Sequence, residues 1–135
     1  ESCKVDPHKG DTCIMASYTD ERNMGGLAWQ APPDNWGDVP GGYDLTGVKR
    51  LTFWAKKDEQ VSEAYVTFKV GLESKAKYAD TASVSTEKLR LTSKWKKYTI
   101  PLEDQDLSRI ITAFAWTVET QDVPVVFYLD DIQYE

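Results

Sequence analysis

Asp130 and Asp131 interrupt an otherwise apolar run at residues 125–135, VVFYLDDIQYE. Val125, Phe127 and Leu129 alternate with Val126, Tyr128 and Ile132, so both faces are apolar, as in a strand within a sheet. A carboxylate taken out of water costs several kcal/mol unless it is paired, hydrogen-bonded or bound to a cation. Whichever aspartate points inward needs such a partner, and Ca²⁺ suits an oxygen ligand. The alternative is that both carboxylates lie in water at the sheet rim.

The aromatic residues offer a second chemistry. The chain has five tryptophans, at 29, 36, 54, 95 and 116, and seven tyrosines. Flat C–H faces of sugar rings stack on indoles and phenols, while planar polar side chains bind the hydroxyls. Trp36 sits in a polar, proline-rich stretch, APPDNWGDVPGG, with no obvious core to enter. Trp54 shares a face with Thr52 and Lys56, opposite Leu51, Phe53 and Ala55, and so is expected to point outward beside Lys69 and Thr67. Trp29 shares a face with Leu27, which sets Gln30 outward; Trp116 shares one with Phe114, which favours burial. Trp95 opens a lysine-rich segment and suits a sheet edge. The candidate carbohydrate-binding set is Trp36, Trp54, Gln30 and Lys69, with Trp29 and Trp116 as further members.

Catalytic constellations are scarce. His8 is the one histidine, and no nucleophile elbow, zinc-binding helix motif or phosphate-cradling glycine loop occurs. Two of Glu63, Glu73, Asp80, Glu87 and Glu119 would suffice for a glycosidase carboxylate pair, but among 22 acidic residues such a pair can be picked by chance. The expectation is a protein without catalytic activity.

The elements that position these residues follow from pattern. The 135 residues suit one domain, 1–135, with a sizeable core. A net charge of −6 argues against nucleic acid and anionic membrane partners, and no apolar run approaches the ~18 residues of a membrane span. Strand-like segments lie at 12–18, 26–30, 48–57, 63–71, 88–92, 95–101, 110–118 and from 124 onward, separated by turn chemistry such as Asp34-Asn35 and Gly41-Gly42. Asp106 suits the cap of a single helical turn. About eight strands without helices predict an all-β antiparallel sandwich, a jelly roll. Cys3 and Cys13, with Pro7 and Gly10 between them to turn the chain, are placed to form a disulfide, which points to a secreted protein.

Five segments together carry a family resemblance: DPHKGDTC (6–13), WQAPPDNWGD (29–38), GGYDLTGVKRLTFWAKKD (41–58), WKKYTIPLEDQDLSRI (95–110) and FYLDDIQYE (127–135). In this order and spacing the chain resembles the jelly-roll carbohydrate-binding domains attached to bacterial secreted glycoside hydrolases. The resemblance implies two facing sheets, an external glycan-binding face, no catalysis, and an attached catalytic domain as a partner. It also implies a structural Ca²⁺ held by Asp130 with oxygens from the 9–11 turn. The chain departs from the pattern in lacking the first strand, before Cys3, so one sheet is expected to be incomplete. That open edge suggests a second role, a structural subunit of an extracellular assembly that self-associates by edge-strand complementation, with residues 1–6 as a candidate donor.

Overall fold

The computed structural model describes residues 2–4, 6–18, 24–72, 75–119 and 124–135. They form β1 (Ser2–Cys3), β2 (Cys13–Tyr18), β3 (Met24–Gln30), β4 (Arg50–Lys57), β5 (Tyr65–Val70), β6 (Val84–Ser85), β7 (Leu89–Arg90), β8 (Lys96–Pro101), β9 (Thr112–Glu119) and β10 (Val125–Tyr134). No helix occurs among the described residues. The eight expected segments correspond to β2–β5 and β7–β10; the two-residue strands β1 and β6 are too short to leave a periodic signal. Asp106 caps no helical turn: its Oδ1 accepts from Ser108 N–H and Oγ–H at 3.1 and 2.6 Å, closing a local loop.

The strands pair antiparallel in two sheets. The first sheet runs β1-β2-β10-β4-β8; the second runs β3-β9-β5-β6, with β7 also on β5. Period-2 alternation dictates which side chains face between them. Leu51, Phe53 and Ala55 enter from β4, Val66, Phe68 and Val70 from β5, Phe114, Trp116 and Val118 from β9, and Val125, Phe127 and Leu129 from β10. Aromatic rings fill the centre, with Phe53 and Phe68 centroids 4.5 Å apart and Trp116 edge-on to Phe127 at 5.0 Å. This β-sandwich is the expected fold class.

Sequence neighbours part company here. β4 and β5 follow one another in the chain but lie in opposite sheets, so Lys69 does not sit beside Trp54 as strand order suggested.

The 6–13 loop packs on the outer face of the first sheet. Cys3 and Cys13 lie directly opposite across the β1–β2 ladder and are joined by a disulfide, with Cα atoms 4.9 Å apart. Lys56 Nζ reaches Asp6 at 2.6 Å, Trp95 Nε1–H donates to the Asp6 carbonyl at 3.0 Å, and His8 stacks on Trp54 at 3.8 Å. The segment proposed as a donor tail is thus engaged on its own chain at Cys3 and Asp6; Glu1 and Val5 lie outside the described residues. A thiol assay on the unreduced, denatured protein is expected to titrate no thiol; two reactive thiols would contradict the bridge.

Candidate functional site

Second-sheet side chains form the floor of a cleft of about 560 Å³: alternation turns Gln30 and Lys69 away from the core, and a register shift in the β3–β9 ladder brings Thr112 opposite Gln30. Gln30 comes from the end of β3, Lys69 from β5, Ser85 from β6 and Thr112 from the start of β9. Gln30 and Thr112 are partners in the β3–β9 register, and Lys69 faces Ser85 across β5–β6. Gln30 Nε2–H donates to Thr112 Oγ1 at 3.2 Å, which fixes the amide plane. The floor is therefore polar, but hydroxyls and amides rather than ion pairs make up most of it.

One wall is the 31–42 loop, and it is held firmly. Asn35 is buried; its Oδ1 accepts from Gly37 N–H at 2.9 Å and its Nδ2–H donates to the Val39 carbonyl at 3.0 Å. Tyr78 N–H donates to the Gly37 carbonyl at 2.8 Å, and Gly42 N–H to the Ala31 carbonyl at 2.8 Å. Gly37 has φ of +94°, and a Cβ there would sit 2.9 Å from the Ala76 side chain, so this approach requires glycine. On this loop Trp36 is 56% exposed and lines the cleft. Apolar surface left uncovered on a braced loop is poised to stack rather than to collapse inward.

Leu72, Asp80 and Ser83, from the loop after β5, line another part of the cleft. Asp80 lines the cleft, yet its carboxylate is engaged by the scaffold: Oδ2 accepts from Leu72 N–H at 3.0 Å, and Oδ1 from Thr112 N–H at 3.1 Å and from Ile111 N–H. Arg109 grips the same loop through two N–H bonds to the Ala79 carbonyl, at 3.1 and 2.9 Å. Asp80→Asn is expected to destabilise the fold by about 1–2 kcal/mol, because an amide N–H then faces main-chain donors. Thermal melts against the parent would show it; an unchanged midpoint would contradict the bracing role.

The remaining candidates are placed elsewhere. Trp54 does point away from the core, but from the opposite sheet, where His8 covers its face; it cannot share a ligand with Lys69. Trp116 is 4% exposed and packed among core rings, so it is not the ligand contact expected of it; the face it shares with Phe114 is the buried one. Trp29 turns to the face of β3 opposite Gln30 and stacks on Phe114 at 5.5 Å, away from the cleft. Trp36, Gln30 and Lys69 are brought together. Asn35, Ser83, Ser85 and Thr112 join them without having been anticipated, apart from the turn signal around Asp34-Asn35; Asp80, considered only as one of a catalytic pair of acids, joins them too.

Of the acids considered for a catalytic pair, Glu63 faces Arg90 at 3.7 Å and Glu119 faces Lys88 at 3.2 Å, while Glu73 lies outside the described residues. Strong proton-binding effects arise on the other sheet, where Tyr128 O–H donates to Asp58 at 2.5 Å. That bond, with burial, pushes Tyr128 up to about 12; the same bond, with a second from Gln60 N–H, holds Asp58 below its ordinary range.

Asp130 finds partners on its own chain. One carboxylate oxygen accepts from Lys9 N–H at 3.0 Å and the other from Asp131 N–H at 2.8 Å, so main-chain amides supply hydrogen bonds that its charge requires. Among the described residues no three of His, Cys, Asp or Glu converge on a metal position. Excess EDTA is expected to leave the thermal midpoint unchanged within about 1 °C, whereas a fall of several degrees would reveal a bound cation.

No family model matches this chain, and no curated protein does. Solved structures share the fold. A carbohydrate-binding module described for the promiscuous specificity of the β-sandwich superfamily superposes with a TM-score of 0.68 at 15% identity over 99% of this chain, which spans only 51% of that one's length. The family 11 module from Clostridium thermocellum, in complex with a β-1,3-1,4-mixed-linked tetrasaccharide, gives 0.67 at 17% identity, covering 99% of this chain and 81% of that one. The family 30 module of a cellulosomal cellulase from Clostridium thermocellum gives 0.67 at 16% identity, covering 100% and 80%. At these identities the likeness establishes a common β-sandwich fold. Among the described residues no helix is long and apolar enough to cross a membrane.

Proposed function

We propose that this chain is an extracellular, non-catalytic module that binds a poly- or oligosaccharide in the cleft of the second sheet. Trp36 stacks on a pyranose face, and Gln30, Lys69, Ser85 and Thr112 meet the hydroxyls. The observation that carries this reading is the combination of an exposed indole on a braced loop with a polar, largely uncharged floor. A sugar chain has both the apolar faces and the hydroxyl edges that such a surface matches.

Binding rather than hydrolysis is favoured by Asp80. Its oxygens are committed to main-chain N–H groups and so are poorly placed for acid–base work. The disulfide supports an oxidising compartment. By analogy with the cellulosomal neighbour, the module would hold an attached catalytic domain against its polysaccharide.

One stacked ring and a few hydroxyl contacts, offset by ordering costs, correspond to micromolar to millimolar affinity. Affinity electrophoresis in gels containing mixed-linkage β-glucan, xylan, galactomannan or pectin is the test. Retardation by at least one polymer, with no release of reducing ends, is expected. Unretarded migration in every gel, or accumulating reducing ends, would overturn the reading.

A further inference from the structure

Leu27 and Trp29 project from β3 toward the space between the sheets, where a closed sandwich would cover them, yet they are 46% and 37% exposed. The cause lies in the topology. β3 is an edge strand whose ladder to β9 uses one side, and no described strand pairs with the other. Between β3 and the β2–β10 side of the first sheet runs a groove of about 590 Å³, lined by Ile14, Leu27, Trp29 and Ile132, with Asp130 and Asp131 beside them. Tyr18 lies over Gly25, where any Cβ would overlap its ring, so the β2 side closes over β3 at that point and leaves Leu27 and Trp29 open.

We propose that this edge accepts an extended peptide strand from a partner protein, apolar at alternate positions and basic at its end. The form of the wall selects a strand. The free side of an edge strand presents main-chain N–H and C=O groups that an added strand satisfies. Every second side chain of that strand then enters the groove over Leu27 and Trp29, and the others face solvent. Charge selects the basic end. Asp130 and Asp131 line the groove, the amides on Asp130 leave its carboxylate charge unneutralised, and the chain as a whole carries −6. Gln30, the next residue along β3, faces the glycan cleft, so the two sites occupy opposite faces of one strand and neither ligand blocks the other.

The test uses two synthetic nine-residue peptides, Lys-Val-Thr-Val-Thr-Val-Thr-Val-Lys and the same sequence with glutamate ends, titrated into the isotope-labelled protein. Saturable amide shifts and slowed hydrogen exchange along 25–29 are expected with the lysine peptide, and binding about tenfold weaker with the glutamate peptide. Leu27→Lys, a change at a half-exposed site that the fold should tolerate, places a charge in the groove and is expected to weaken the lysine peptide at least tenfold. The parent melting temperature should be kept. Three results would overturn the proposal: no perturbation of β3 at millimolar peptide, equal affinity in Leu27→Lys, or shifts confined to the cleft. Concentration-dependent dimers that protect the same amides without peptide would overturn it in favour of a second copy.

Discussion

Trp36→Ala is expected to weaken glycan binding about 10- to 100-fold without lowering the melting temperature. Ring-on-ring stacking on an aromatic side chain is worth about 1–3 kcal/mol by alanine substitution, and each 1.4 kcal/mol is tenfold in affinity. The fold should not notice the change. The indole is largely exposed, whereas the loop is held by Asn35, by the Gly37 carbonyl and by Gly42 N–H, none of which the substitution touches. Calorimetric titration with whichever polymer retards the parent checks affinity, and a thermal melt checks the fold. An affinity within twofold of the parent would remove Trp36 from the site, and a lower melting temperature would mean that it packs.

Phe68→Ala is expected to cost about 3–5 kcal/mol, the range for deleting a fully buried aromatic ring. Phe68 is 0% exposed and lies between the sheets, with Phe53, Phe114 and Phe127 centroids at 4.5, 5.8 and 6.2 Å. These neighbours come from β4, β9 and β10, so both sheets must shift to refill the space. For a chain of this size the loss corresponds to a melting temperature lower by about 10–20 °C. Urea unfolding should show a lower midpoint with little change in slope. A loss below 1 kcal/mol would mean that the sheets collapse around the vacancy and that the aromatic cluster is not the centre of the core.

Local alternation made much of this architecture legible. In 63–71 it separated Val66, Phe68 and Val70 from Lys69, and the structure keeps that division. The same rule put Trp29 and Gln30 on opposite faces and paired Trp116 with Phe114. It could not say which sheet each strand joins, since that depends on long-range pairing. Lys69 was therefore expected beside Trp54, when β4 and β5 lie in different sheets. Nor could it foresee that His8, far away in sequence, would roof Trp54. Asn35 looked like one more turn residue, and Asp80 like one of several acids that could be paired for catalysis. Their importance arises from main-chain groups brought to them by β9 and by the loop's own turns. Asp130 shows the limit of composition: an acid in an apolar strand needed a partner, and two N–H groups supply it where a cation was expected.

The five indole N–H resonances, one per tryptophan, report on cleft, roofed face and core separately. In a titration with the bound polysaccharide's oligosaccharide, the Trp36 indole signal and the amides of Gln30, Lys69, Ser85 and Thr112 should shift in a single saturable process. The indole signals of Trp54, Trp95 and Trp116 should stay in place. Shifts centred on Trp54 and Trp95, with Trp36 unmoved, would put the sugar on the other sheet and contradict the cleft as the binding site.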